Sequence, residues 1–150
     1  MISIRKALPT DISKVKEVLS KVNLSADIDS IDNFMVMELD NNIIATAGLE
    51  IYQDVAILRS VAVLPEFQHQ GLGDGLVRAM INYADRRKIS KLFLFTQTAR
   101  GFFEKIGFKL IQRETIDERC KTSQQYKSNC PVNAYVMELN VKEFFNSIHC

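Results

Sequence analysis

The stretch 58–76, LRSVAVLPEFQHQGLGDGL, constrains this chain most. It sets an apolar run of strand character, Ser60-Val61-Ala62-Val63, before a short turn, and then opens a helix on glycines. A strand feeding a helix N-terminus delivers unpaired backbone N–H groups to one spot, where the helix dipole favours negative charge. Phosphate is the guest such a turn suits. The glycines do not make the better-known nucleotide loops. After Gly71 and Gly73, Leu76 stands where G-x-G-x-x-G needs its third glycine, and G-x-x-x-x-G-K-[ST] does not occur. A helix that merely begins on glycines is the alternative without a ligand.

The rest of the chain narrows what could bind. At 150 residues, 47% hydrophobic and 25% charged, it has the length and composition of one ordinary globular domain with a continuous core. A net charge of +1 without a basic run argues against a nucleic-acid surface. No apolar stretch reaches the roughly 20 residues that span a bilayer, and MISIRKALPTDISKV lacks the apolar core of a signal peptide, so a cytoplasmic location is expected. Cys120, Cys130 and Cys150 are widely spaced without C-x-x-C, which fits reduced thiols, and only His69 and His149 could add imidazole; no metal site is expected.

Taken in order, residues 2–6 alternate like a first strand, and Pro9-Thr10-Asp11 signals a helix whose apolar face is Ile12, Val15, Val18, Leu19 and Val22. Residues 23–33 are polar and aspartate-rich, with weak helical character. Residues 34–39 read as a strand, Asp40-Asn41-Asn42 as a hairpin turn and residues 43–51 as the partner strand. A second turn near Tyr52-Gln53-Asp54 leads into strand 55–63, and after the glycines Leu72, Leu76, Val77, Met80, Ile81 and Ala84 share a helical face. Residues 91–95, KLFLF, read as a buried strand, so strand, helix, strand implies a right-handed crossover and one parallel pair. A further helix ends at Gly107, followed by strand 108–111. Residues 112–129 form a polar insertion of part-helical character, Cys130-Pro131 precedes a last strand over 132–139, and 141–150 is a terminal helix or tail.

Two elements in this order resemble one family. Gln68-His69-Gln70-Gly71-Leu72-Gly73 is a [QR]-x-x-G-x-[GA] hexapeptide placed after a strand, and Phe103-Glu104-Lys105-Ile106-Gly107-Phe108 is similar to a Y-E-K-L-G-F segment. Both resemble the GNAT superfamily of N-acetyltransferases. The run Leu58-Arg59-Ser60-Val61-Ala62-Val63, the Phe-Phe-x-x-x-Gly-Phe segment and the later Cys-Pro look like its amino-acid N-acetyltransferase branch, with the N-acetylglutamate-synthase-like domains and the acetyltransferases of arsenic-resistance operons. The resemblance implies a single α/β (α+β) domain over 1–150: a mixed, mostly antiparallel sheet of six or seven strands, one splayed parallel pair, and helices on both faces. It implies acetyl-CoA as co-substrate, direct acetyl transfer to an amine, and a lid over the acceptor at residues 23–33, which a solvated connector would equally explain. Family members are often dimers, which leaves a homodimer open by analogy.

By the same resemblance, main-chain groups of Val61 and Val63, with Ala62 between them, bond pantetheine, and backbone N–H groups of Gln68, His69, Gln70, Gly71, Leu72, Gly73 and Asp74 hold the pyrophosphate. The chain departs from the family pattern at three places. Ile57 stands where many relatives carry a glutamate base, Phe103 where a tyrosine often protonates the departing thiolate, and Thr96 where an asparagine often contacts the cofactor. A hairpin turning near Gln53 sets residues 50 and 56 opposite each other, which makes Glu50 the candidate base, directly or through water; a plain strand glutamate is the alternative. Tyr126 or Tyr135 could replace the missing acid. Strand alternation puts Arg59 on the face of Ile57 and Val61, where a guanidinium needs an anionic partner: a substrate α-carboxylate, or an internal bridge to Glu38 or Glu50. Cys130 reads as an inert thiol rather than a nucleophile.

The expected activity is acetyl-CoA-dependent N-acetylation of a small-molecule amine, an amino acid or an analogue. Two alternatives stay open: a catalytically idle acyl-CoA-binding domain acting as a sensor or interaction module, kept alive by Ile57 and Phe103, and a protein N-acetyltransferase.

Overall fold

A computed structural model describes residues 1–129 and 133–147. Cys130, Pro131, Val132, His149 and Cys150 lie outside the described residues. Seven strands join in one mixed sheet in the order β1-β2-β3-β4-β5-β7-β6: β1 Ile2–Lys6, β2 Phe34–Leu39, β3 Asn42–Tyr52, β4 Val55–Val63, β5 Lys91–Thr96, β6 Lys109–Ile111 and β7 Tyr135–Asn140. Four helices accompany them: α1 Ile12–Lys21, α2 Leu72–Arg86, α3 Arg100–Ile106 and α4 Val141–Ser147. The chain divides into two compact units, Met1–Leu49 with Arg59–Met80, and Glu50–Leu58 with Ile81–Cys150.

In the first unit, β1 pairs antiparallel with β2, and β2 with β3. The β2–β3 turn forms where expected, because Asp40 and Asn41 both adopt left-handed backbone (φ 51 and 66), which their short polar side chains tolerate and a tight hairpin requires. Helix α1 buries Val15, Val18 and Leu19 against Phe34, Val36 and Ile43, with Ile12 and Val22 at the margin, so the apolar face read from the sequence is the packed one. Each such fully buried side chain contributes roughly 1.5–3 kcal/mol. Residues 23–33 form no regular element, but Ile28 and Ile31 anchor them in the same core. Arg5 ties β1 down: it donates to both Asp11 oxygens (2.7 and 3.2 Å) and to Glu38 on β2 (3.2 Å). The Arg5 guanidinium lowers the Asp11 carboxyl, and the Leu8 amide, donating at 2.7 Å, adds to the effect.

In the second unit, β4 and β5 make the expected parallel pair, with Val55 opposite Lys91, Ala56 opposite Leu92 and Ile57 opposite Phe93. β5 pairs antiparallel with β7 along its whole length, and β6 lies on the far side of β7. Val55, Ile57, Phe93, Ile116, Cys120 and Val136 form one of its hydrophobic clusters, with Tyr52, Phe95, Ile111 and Tyr126 packed at the margin. Gly107 ends α3 as expected. Its φ of 132° is closed to most L-residues, and the Gly107 and Phe108 amides both donate to the Phe103 carbonyl. The insertion after β6 has the part-helical character expected of it, as short helical turns over Arg113–Thr115, Glu118–Thr122 and Gln125–Asn129. The last strand begins at Tyr135, three residues later than the apolar run suggested.

Candidate active site

The turn between β4 and α2 takes its shape from two left-handed residues. After a single 3-10 turn, Pro65–Phe67, Gln68 is extended, His69 has φ 64 and Gly71 has φ 81. Two left-handed residues so close together bend the chain sharply ahead of the helix, and bends of this kind can gather backbone N–H groups for an anion. The first bond of α2 runs from the Gly75 amide to the Gly71 carbonyl (3.1 Å), so the preceding amides open the helix at its dipole-positive end. The Gln68 side chain donates to the Val63 carbonyl (2.9 Å) and that of Gln70 to the Glu66 carbonyl (3.4 Å). A Cβ built on Gly71 or Gly75 would meet nothing within 4 Å, which leaves room for a ligand to reach the backbone. His69 and Gln70 are exposed; Leu72, Gly73 and Asp74 are half-buried. The Asp74 carboxylate accepts from Arg78 along the helix (2.7 Å). This arrangement fits the phosphates of a nucleotide cofactor through backbone donors and needs no lysine.

The strand leading into the turn carries an irregularity that the sequence did not signal. Ser60 is left-handed (φ 57) inside β4. Such a residue breaks the two-residue alternation, so the expected common face of Arg59 and Val61 does not follow past Ser60. Val61 and Val63 are half-buried, and Ala62 packs in the first unit's core. Arg59 is half-buried: its Nε donates to the Ser60 hydroxyl (3.1 Å) and its Nη2 to the Asp27 carbonyl (3.2 Å), gripping the 23–33 segment. Glu38, one of the acidic partners considered for it, is bound by Arg5.

In the second unit, Glu50 is half-buried near the end of β3 and accepts a hydrogen bond from the Tyr52 phenol (2.9 Å). The two are neighbours because residues two apart on a strand share a face. Burial, and then the Glu50 carboxylate, hold the phenol well above its usual range, so it stays protonated and donates. The turn joining β3 to β4 is the two residues Gln53 and Asp54, which by count sets Glu50 across from Ile57 rather than residue 56. Ile57 is fully buried in the core cluster, as a side chain with no polar duty would be. Phe103 is buried too, edge-on to Phe102 (5.0 Å) and Phe108 (5.6 Å). The Thr96 hydroxyl accepts from the Ala99 amide (3.0 Å) at the start of α3, a local capping role.

The tyrosines considered as acids both sit against cations. Tyr126 lies edge-on to Phe95 (6.4 Å) with the Arg113 guanidinium 5.0 Å from its ring, and its carbonyl accepts from Arg113 (2.9 Å). Arg100 stands 5.1 Å over Tyr135. Tyr52 was missed in the sequence because it reads as part of a turn, whereas it is the last residue of β3. Cys120 is fully buried; burial, and then Asp117, push its thiol up to about 12, which leaves it unreactive. Among the described residues no group of three or more His, Cys, Asp or Glu side chains could hold a metal ion, and no helix is long and apolar enough to cross a membrane.

Comparison with known proteins bears on this geometry. A family model described as an acetyltransferase (GNAT) domain matches residues 30–110, more than half of the chain. An uncharacterized N-acetyltransferase of Chlorobaculum tepidum is 27% identical over 134 residues, covering 85% of this chain and 84% of that one. The amino-acid acetyltransferase of Mannheimia succiniciproducens is 29% identical over 126 residues, covering 83% of this chain. The match spans only 28% of that relative's length, so the chain corresponds to a part of it. Among solved structures, N-acetylglutamate synthase from Neisseria gonorrhoeae, complexed with coenzyme A and N-acetyl-glutamate, superposes with a TM-score of 0.80 at 22% identity, over 94% of this chain and 35% of that one. A Mycobacterium tuberculosis protein solved with CoA gives 0.76 at 20% identity, over 92% and 98%. These structural likenesses concern the fold, and the family match the chain itself: it belongs to the GNAT acetyltransferases, which use acetyl-CoA as co-substrate.

Proposed function

We propose that residues 1–150 act as one N-acetyltransferase domain that passes the acetyl group of acetyl-CoA directly to the amine of a small molecule, an amino acid or a close analogue. The observation that carries the cofactor side is the left-handed pair His69 and Gly71 ahead of α2. In this reading the amides of Gln68, His69, Gln70, Gly71, Leu72, Gly73 and Asp74 hold the pyrophosphate, and main-chain groups of Val61, Ala62 and Val63 meet pantetheine. Thr96 and Phe103 serve the cofactor side through the shape they give to the start and body of α3.

An ammonium has no lone pair, so the acceptor amine must first lose a proton, which Glu50 takes directly or through water. The amine nitrogen then bonds to the thioester carbonyl carbon, the C–S bond breaks as the thiolate leaves, and the nitrogen sheds its second proton to water. A CoA thiol resembling free cysteine, with a pKa of about 8.5, is a tolerable leaving group near neutrality, so a buried Phe103 in the tyrosine position does not forbid turnover. A backbone N–H of the 61–63 strand stabilises the oxyanion. Arg59 reads the acceptor's α-carboxylate. The amino-acid acetyltransferase relatives support an amino-acid acceptor.

The test is release of free thiol from acetyl-CoA against a panel of amino acids, simple amines and short peptides. Turnover confined to amino acids and analogues is expected. Thiol release with peptides alone would replace the small-molecule reading with protein acetylation, and CoA binding without release would make this an idle domain.

A further inference from the structure

The Glu50–Tyr52 pair does not stand alone. The Ser123 side chain, buried in the insertion, lies near the Tyr52 phenol. Its Oγ donates to the Cys120 carbonyl (2.7 Å) and accepts from the Tyr126 amide (3.1 Å), so the insertion's own turns fix it. The phenol thus has the carboxylate of β3 on one side and a rigid hydroxyl of the insertion on the other. Among the described residues, charged and titratable groups of the insertion and of the β3–β4 turn lie near this cluster. The insertion contributes the Cys120 thiol, the Asp117–Arg119 pair (2.9 Å), and Arg113 and Lys121 over the Tyr126 ring. The β3–β4 turn contributes Asp54, held by Arg119 (2.7 Å). The side chains of β5 and β7 in the cluster, Phe93, Phe95 and Val136, are apolar.

We infer that Tyr52 is a positioning residue for Glu50: its phenol donates to the carboxylate and fixes its orientation. This rests on Glu50 being the base that takes the amine proton. Because the phenol stays protonated through the neutral range, it keeps donating at every pH where the reaction runs.

The split between kcat and binding distinguishes this from a packing role. Tyr52→Phe keeps the ring and removes the donor. It is expected to lower kcat about tenfold, the scale of one hydrogen bond to a charged group, with acetyl-CoA affinity and the acceptor KM unchanged. Tyr52→His keeps a ring donor; it is expected to recover part of that loss, and it carries the same test should Tyr52→Phe fail to fold. Wild-type kcat in Tyr52→Phe, while Glu50→Gln loses activity, overturns the inference and leaves the base assignment standing. Wild-type turnover in Glu50→Gln overturns both.

Discussion

The Phe34 ring lies against Gly48, its direct partner across β2 and β3, so closely that a Cβ built on the glycine would fall 2.4 Å from a ring carbon. Glycine here is a matter of space, since only a hydrogen fits beneath the ring. Gly48→Ala is expected to cost about 1–3 kcal/mol in urea unfolding, the usual scale for overpacking. The loss should shrink when Phe34→Leu is added. Strict additivity of the two changes would show that the ring is not what excludes the methyl.

Gly71 is required for the opposite reason. A Cβ there has open space but would sit on left-handed backbone at φ 81, which costs a non-glycine residue roughly 1–2 kcal/mol. Gly71→Ala should weaken acetyl-CoA binding in a calorimetric titration, and Gly71→Asn less, because asparagine tolerates this region. Bulk at Gly73 should weaken binding through crowding of the ligand. Unchanged affinity in all three variants would remove the turn from cofactor binding.

Arg59 has two duties to separate, its grip on the Asp27 carbonyl and its proposed hold on an acceptor carboxylate. Arg59→Ala is expected to lower kcat/KM for amino acids by about 10–100-fold, the scale of lost hydrogen bonds to a charged group, and to lower it less for amines without a carboxylate. Equal losses on both acceptor classes would leave Arg59 only its role in ordering the 23–33 segment.

Acid sensitivity follows from two arginine-bound carboxylates. Arg119 holds the Asp117 carboxyl down at about 2, and Arg5 lowers Asp11. A carboxyl whose folded pKa is depressed adds stability that is fully present above its unfolded pKa and is lost as pH falls through the folded one. The contribution of Asp117 therefore fades between about pH 4 and about pH 2. In thermal melts across that range, Arg119→Gln should flatten the decline; a decline as steep as the wild type's would assign acid loss to other groups.

The sheet was legible because its signals are local. Asp40 and Asn41 mark a tight turn by tolerating positive φ, and 92–95 is apolar throughout, as a strand covered on both faces must be. Strand β4 has the very bounds its apolar run predicts. The left-handed Ser60 was not legible, since serine carries no preference for that conformation and LRSVAV reads as unbroken strand. Glu50 was reachable by counting through a hairpin, but its bond to Tyr52 depended on where β3 ends, and Ser123 lies about seventy residues further along. The insertion was opaque for a related reason: Ile116, Cys120 and Ser123 are buried at helix-like spacing in a segment that forms only short turns.

Strand β1 closes one side of the sheet, and four of its five residues are exposed. Ile2 and Ile4 are among them. An edge of that kind is a template on which another chain can add a strand, unless charge or close attachment blunts it. Here the attachment is Arg5, and the Asp11 carboxylate is one of its two anchors. Protonating Asp11 therefore does more than lower stability: it loosens an apolar edge, and acid storage should turn the folded protein into a nucleus for aggregation before it unfolds.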